Sequence, residues 1–222
     1  MSKPCTNTYG AFAWYSMRIL ITGSSGQIGA AIAEQLKQEH ELIGIDVNPG
    51  RWTQWLVSNT DCRTIFQLVR EVDAIIHVAS LHQPHIVTCS EQDFIETNVL
   101  GTLTLLEAAE QAVIRRFVYT STTSLYGRAM VSHQQAVWVI EELVPLPRDI
   151  YDRTKITAEH LCRRFALSIG LPTVCSRTHF TMYWRVSGSA TSSSPSSKTR
   201  QCPRFRRRSI QFGSISCRHL RV

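Results

Sequence analysis

Tyr151 and Lys155 stand four residues apart in a segment with a helical pattern. Side chains at i and i+4 share one face of a helix, so the phenol and the ammonium would be neighbours there. A free tyrosine has a pKa of ~10 and is a poor base near neutral pH. A nearby positive charge favours the phenolate, so the pair could act as a general base. The pair gains weight from its position, one segment beyond a hydroxyl-rich strand end at residues 120–127.

A glycine-rich turn occupies residues 22–29, Thr-Gly-Ser-Ser-Gly-Gln-Ile-Gly, between a predicted strand and a predicted helix. Glycine allows the tight reversal, the close approach of a pyrophosphate to bare backbone, and close packing of the helix against the strand. The start of the helix offers free N–H groups and the positive end of its dipole to phosphates. This context predicts a dinucleotide-binding loop instead of a plain surface turn.

An acidic residue, Asp46, ends the next predicted strand, 17 positions beyond Gly29. A carboxylate at this point can accept hydrogen bonds from both hydroxyls of the adenosine ribose and would repel a 2′-phosphate. The sequence therefore predicts NAD as the cofactor in preference to NADP. Arg51, five residues further on, could soften that preference.

The elements around these residues alternate between strands and helices. Apolar runs at 18–22, 41–46, 74–78, 116–121 and 172–176, with a weaker one at 55–58, predict strands. Helical patterns fall at about 27–38, 63–71, 91–112 and 151–169. Repeated β-α-β-α order predicts a doubly wound parallel sheet with right-handed crossovers and the strand order 3-2-1-4-5, followed by a sixth strand.

Other polar residues have weaker functional interpretations. His77 ends a buried strand and is interpreted as a hydrogen-bonded core histidine. His82 and His85 lie in a loop without carboxylate or cysteine company, so we expect no metal site. The seven cysteines are scattered, with no Cys-x-x-Cys pair, and predict reduced thiols instead of a disulfide frame or a zinc site.

Charge and composition divide the chain into three parts. Residues 1–159 hold all 17 acidic residues but only half of the 24 basic ones, so the basic net charge of +7 belongs to the end of the chain. We expect a leader extension at 1–16, a nucleotide-binding domain at 17–178, and a poorly ordered Ser/Arg-rich tail at 179–222. No run approaches the ~18 apolar residues of a membrane span, and no secretory signal is recognisable, so we expect a cytoplasmic protein.

The ordered set of motifs resembles the extended short-chain dehydrogenases/reductases, specifically the NAD-dependent epimerase/dehydratase family of the UDP-glucose 4-epimerase kind. The motifs are TGSSGQIG, Asp46, HVAS at 77–80, TNVLGT around Asn98, FVYTSTTSLYG at 117–127 and YDRTK at 151–155, and the resemblance covers about 17–178. It implies a Rossmann-type sheet, an NAD cofactor and a nucleotide-sugar substrate. It also implies a homodimer formed through the helices at 91–112 and 151–169.

The resemblance also implies roles for individual residues. Thr122, four residues before Tyr126, would bind the substrate oxygen, Tyr151 would move the proton, and Lys155 would hold the nicotinamide ribose. Asp61 resembles the residue near the adenine ring, and Asn98 resembles an asparagine of the central helix that either bridges backbone groups or acts directly. The implied cofactor-binding residues are Gly23, Ser25, Gly26, Gln27, Ile28, Gly29, Asp46, Asp61, Val78, Ala79, Ser80, Asn98, Tyr151 and Lys155.

The family pattern stops being recognisable after Thr178, where relatives of this kind continue into a substrate-binding lobe. Three functions therefore stay open: a working NAD-dependent epimerase, dehydratase or related oxidoreductase; a truncated, inactive protein that still binds NAD; and a binder of nucleic acid or another anionic partner through residues 204–208. The basic run lacks the interleaved aromatic residues of a stacking platform, so we expect it to be a solvated tail that does not bind nucleic acid. We expect little turnover on sugar nucleotides.

Overall fold

The computed structural model describes residues 16–129 and 143–178. Six parallel strands form one sheet: β1 (Arg18–Thr22), β2 (Glu41–Asp46), β3 (Trp55–Leu56), β4 (Ala74–His77), β5 (Arg116–Thr122) and β6 (Thr173–Thr178). Their order across the sheet is β3-β2-β1-β4-β5-β6. The predicted doubly wound topology is therefore confirmed. The predictions for the leader and the tail lie outside the described residues, apart from Ser16.

The helices that connect the strands are α1 (Gln27–Leu36), α2 (Cys62–Val69), α3 (Glu91–Phe94), α4 (Gly101–Gln111) and α5 (Ile150–Ser168). The stretch predicted as one helix at 91–112 differs from expectation, because a π-helix at Ile95–Leu100 separates α3 from α4. Such wider turns are frequent at functional sites, and this one carries the buried Asn98. An apolar period alone does not distinguish an α-turn from a π-turn.

The core lies on both faces of the sheet because successive residues of a strand point to opposite faces. Leu20 of β1 packs with the layer formed by α2, α4 and α5, together with buried residues such as Ile75 and Phe117. Its neighbours Ile19 and Ile21 pack with Ala33 of α1 on the other face. These layers fix the strand register, so the sheet acts as a rigid platform for its loops.

The register brings the carboxyl ends of the strands to one edge. Thr22 pairs with Ile45 on one side and with His77 on the other, and Thr122 pairs with Thr178. The connections diverge from β1 at this edge, since β2 lies on one side of it and β4 on the other. In doubly wound sheets a ligand crevice forms at this point of divergence.

Two further expectations concern membrane-spanning segments and the state of the cysteines. None of the helices within the described ranges has both the length and the apolarity to cross a membrane. Cys62, Cys162 and Cys175 are free thiols, as predicted.

Candidate active site

A cavity of about 1010 Å³ opens at the carboxyl edge of the sheet, between the glycine-rich turn and the start of α5. This volume lies at the upper end of the range for small-molecule and cofactor sites. Twelve of the predicted site residues line it: Gly23, Ser25, Gly26, Gln27, Ile28, Asp46, Val78, Ala79, Ser80, Thr122, Tyr151 and Lys155. The fold therefore joins two motifs that lie far apart in the chain.

The glycine-rich turn forms one end of the cavity. Gly23 has a φ of 73°, in the left-handed region that favours glycine, and its N–H donates to the carbonyl of Ile45 at 2.9 Å. A Cβ at Gly29 would lie 2.1 Å from the carbonyl oxygen of Gly23, so this glycine permits close packing of α1 against the turn. Gly29 thus shapes the turn without lining the cavity.

Asp46 closes this end of the cavity from β2. One carboxylate oxygen accepts the backbone N–H of Ser25 at 3.1 Å, and the other accepts that of Asn48 at 2.9 Å. Each oxygen keeps a second acceptor position for a ligand hydroxyl. Arg51 is engaged elsewhere, because its guanidinium pairs with Glu34 at 3.3 Å and stacks on the ring of Trp52 at 5.0 Å.

The opposite end of the cavity holds the phenol and ammonium of α5. Lys155 is buried, donates to the carbonyl of Thr120 at 2.7 Å and lies 4.5 Å above the ring of Tyr119. Burial lowers the pKa of Lys155 to about 7, against the pull of the Glu159 carboxylate. Burial likewise raises the pKa of Tyr151, whose hydroxyl is hydrogen-bonded to that of Thr122. Desolvation therefore disfavours both charged forms, an effect that residue spacing does not reveal.

A buried hydrogen-bond chain links the two ends of the site through His77. The hydroxyl of Thr22 accepts from the backbone N–H groups of Val78 and Ala79, each at 3.1 Å, and lies 2.7 Å from His77 Nδ1. His77 Nε2 lies 3.0 Å from the hydroxyl of Thr102, which donates to the carbonyl of Asn98 at 2.6 Å. Because the Thr102 hydroxyl donates its proton to that carbonyl, it can only accept a hydrogen bond from His77. The neutral imidazole of His77 therefore carries its hydrogen on Nε2.

This position confirms His77 as a hydrogen-bonded core histidine. Burial lowers its pKa to about 3, and the Lys155 ammonium adds to the effect.

Asn98 positions the loop after β4. Its side-chain carbonyl accepts from the N–H of Leu81 at 2.8 Å, and its amide donates to the carbonyl of Leu81 and to the hydroxyl of Thr154 at 3.0 Å. Asn98 does not line the cavity, and its side chain bridges the loop after β4 and the start of α5.

Asp61 does not line the cavity. Its carboxylate caps α2 by accepting from the N–H and the hydroxyl of Thr64, at 3.2 and 2.9 Å. Ser58 and Asn59, three and two residues earlier, line the cavity in this region instead. The helix-start pattern after Asp61 is a sequence signal for this capping role.

Further cavity-lining residues were not among the predicted site residues. His82, His85 and Arg148 line the wall near Tyr151, and the rings of the two histidines are 4.4 Å apart. Burial lowers the pKa of both histidines. Within the described part of the chain, no group of three or more His, Cys, Asp or Glu residues could hold a metal ion.

The fold and the site together define a dinucleotide-binding α/β protein. The chain belongs to the NAD dependent epimerase/dehydratase family, whose profile matches residues 19–208. The match extends past Thr178, the last residue of the predicted nucleotide-binding domain.

Three relatives illustrate the membership. An uncharacterised UDP-glucose epimerase, YtcB, of Bacillus subtilis (strain 168) is 30% identical over 189 residues, covering 75% of this chain and 57% of that protein. A dTDP-glucose 4,6-dehydratase of Escherichia coli (strain K12) is 29% identical over 202 residues, covering 73% and 55%. The structure of the Thermus thermophilus UDP-glucose 4-epimerase in complex with NAD superposes with a TM-score of 0.65 at 28% identity, covering 72% and 54%. The chain therefore spans little more than half the length of these relatives.

Proposed function

We propose that the chain binds NAD in this cavity and uses Thr122, Tyr151 and Lys155 to move a proton and a hydride at a hydroxyl-bearing carbon of a nucleotide sugar. One observation carries the proposal: a glycine-rich turn with Asp46 opens into the same cavity as a tyrosine–lysine pair whose lysine is buried. Relatives include an epimerase and a dehydratase, so the proposal names the oxidation step that begins at a sugar hydroxyl and leaves the later step open.

The residues present fit a dinucleotide. The backbone of Gly26, Gln27 and Ile28 at the start of α1 would bind the pyrophosphate, and Asp46 would accept from the adenosine ribose. The buried hydroxyl of Ser121, on the cavity wall, has no hydrogen-bond partner in the described ranges, as expected where a polar ligand completes the site. NAD, when bound, supplies the hydride acceptor.

Proton transfer falls to Tyr151. In the phenolate form it would accept the proton of the sugar hydroxyl while Thr122 holds the same oxygen. Lys155 would stabilise the phenolate by its charge, and its ammonium would exchange the Thr120 carbonyl for the nicotinamide ribose. A positioned base of this kind contributes ~10²–10⁴-fold to the rate.

Turnover by this chain is expected to be low even though NAD binding is retained. Positioning of a substrate is worth ~7–11 kcal/mol, more than the acid–base contribution. Within the described ranges, the cavity is lined by the glycine-rich turn, the strand ends, the loop after β4 and the start of α5, most of which would contact the cofactor and not the sugar. We therefore propose an NAD-binding protein with slow sugar chemistry, and an NAD binder without turnover is the second candidate. A partner copy is expected to pack against α4 and α5.

The proposal is tested by titrating the full chain with NAD in a calorimeter and then assaying NAD-dependent turnover on a panel of UDP- and dTDP-sugars. Tyr151→Phe should abolish any turnover and leave NAD affinity nearly unchanged. Tyr126→Phe is a matched control, because Tyr126 bonds to Arg177 and does not line the cavity. Absence of NAD binding would refute the proposal, as would turnover that persists in Tyr151→Phe. NAD binding without turnover on any sugar would favour the second candidate.

A further inference from the structure

Asp152, the residue directly after Tyr151, is fully buried beneath the active site. Its Oδ1 accepts the hydroxyl of Ser124 at 2.6 Å, and its Oδ2 accepts the backbone N–H of Arg148 at 3.0 Å. The Arg148 guanidinium lies 3.6 Å from Oδ2. Both oxygens of this side chain therefore accept hydrogen bonds, and Arg148 places a positive charge beside them.

The carboxylate fixes the direction of a chain of hydroxyl groups. Ser124 has one hydroxyl proton and donates it to Asp152, so Ser124 Oγ can only accept from Thr122, at 3.2 Å. The backbone N–H of Ser124 also donates to Thr122 Oγ1, at 3.1 Å. The single hydroxyl proton of Thr122 therefore points towards Ser124. Towards Tyr151, Thr122 Oγ1 can then only accept a hydrogen bond.

This direction affects the base. A Thr122 hydroxyl that donates to the Tyr151 phenolate would stabilise it, whereas one that only accepts stabilises the neutral phenol. Ser124 and the phenolate thus compete for one proton.

We propose that Ser124 and Asp152 are positioning residues that hold the Thr122 proton away from Tyr151 and thereby keep its phenol from ionising until a ligand draws that proton back. The proposal rests on the proposed function, in which Tyr151 is the base.

Other charges also face Tyr151 and have to be separated from this effect. The carboxylates of Asp152 and Asp149 both act on the phenol through space. The titratable groups that share its cavity on this side are His82, His85, Asp93, Glu96, Arg148 and Lys155. A substitution that removes a hydroxyl without changing a charge isolates the hydrogen-bond effect from all of them.

Ser124→Ala is that substitution. It frees the Thr122 proton for Tyr151, so the pKa of Tyr151 should fall by about one unit, a tenfold increase in acid dissociation. The titration is followed in the full chain by NMR of labelled tyrosine ring carbons, with Tyr151→Phe identifying the resonance. The same shift should be absent when Ser124→Ala is made in Thr122→Val, which has no hydroxyl proton to redirect.

Asp152→Asn provides a second route. The amide of the new side chain can donate to Ser124 while its carbonyl keeps the bond from Arg148. Ser124 would then donate to Thr122, and Thr122 would donate to Tyr151. Asp149→Asn removes a neighbouring charge, keeps a good helix cap and does not contact Ser124. Asp152→Asn should therefore lower the pKa of Tyr151 by more than Asp149→Asn does. The excess should shrink in Thr122→Val, where only the stronger through-space effect of the Asp152 carboxylate is left.

The proposal is overturned if Ser124→Ala leaves the titration of Tyr151 unchanged or raises its pKa, or if the shift persists in Thr122→Val. It is also overturned if Asp152→Asn and Asp149→Asn give equal shifts. Because the readout requires no turnover, the expected shifts in a chain that fails to act on sugars would support the positioning role while the proposed catalysis failed.

Discussion

The carboxylate of Asp46 is expected to decide which dinucleotide binds, and Asp46→Ala tests this. In the structure each carboxylate oxygen already accepts one backbone N–H, from Ser25 at 3.1 Å and from Asn48 at 2.9 Å. One acceptor position per oxygen is left, enough for the two hydroxyls of an adenosine ribose.

The expected loss follows from these two bonds. A hydrogen bond to a charged group contributes about 1.5–3 kcal/mol, so removing two weakens NAD binding by at most about 3–6 kcal/mol, or two to four orders of magnitude in Kd. The loss for NADP should be smaller, because its 2′-phosphate replaces one hydroxyl and is repelled by the carboxylate. Arg51 offers NADP little compensation while it pairs with Glu34 and stacks on Trp52.

Calorimetric titration of the full chain and of Asp46→Ala with both dinucleotides measures the effect. The unmodified chain should prefer NAD, and the substitution should narrow or remove that preference. Tighter binding of NADP than of NAD by the unmodified chain would refute the reasoning, as would an equal loss for both dinucleotides.

Three further outcomes are expected. Asp61→Ala should lower the free energy of unfolding by about 1 kcal/mol through loss of the α2 cap while leaving NAD affinity unchanged; a large loss of affinity would instead support the adenine-contact role implied by resemblance. Gly29→Ala should destabilise the fold by about 1–3 kcal/mol in denaturant titrations, because its Cβ would lie 2.1 Å from the Gly23 carbonyl oxygen; an unchanged midpoint would contradict this packing. Because burial holds the pKa of His77 at about 3 against an ordinary 6.5, its contribution to stability is complete above pH 6.5 and is lost as the pH falls towards 3, by on the order of 5 kcal/mol. His77→Gln should flatten that acid limb, and an unaltered pH profile would show that His77 is not its source.

The sequence was sufficient to predict the sheet because its signals are local. The apolar runs set the strands, the turn at 22–29 marks the crossover, and Asp46 falls at the end of β2, so the strand order and one end of the cavity follow from spacing. His77 was also recognised as a core residue, since a histidine at the end of an apolar run has neighbours that can satisfy it.

The remaining features depend on contacts between distant segments. Ser124 and Asp152 lie 28 positions apart, and nothing in either local pattern indicates that a carboxylate beside Tyr151 is buried and accepts from Ser124. The sequence also does not reveal that the pKa of Tyr151 is raised, because burial sets the direction of that shift and the i+4 position of Lys155 does not. The resemblance implies that Asp61 lies near the adenine ring, and the local pattern of a helix start indicates the capping contact that the structure shows.

A single-turnover experiment tests most directly whether this cavity performs hydride chemistry with Tyr151 as its base. The full chain is loaded with NAD, mixed with UDP-glucose or dTDP-glucose, and followed by the absorbance of reduced nicotinamide, after calorimetry has shown that both ligands bind. A slow rise in absorbance is expected for the unmodified chain and for Tyr126→Phe, and none for Tyr151→Phe. An unmodified chain that binds both ligands and never reduces its NAD, or a Tyr151→Phe variant that reduces it equally fast, would contradict the proposed chemistry.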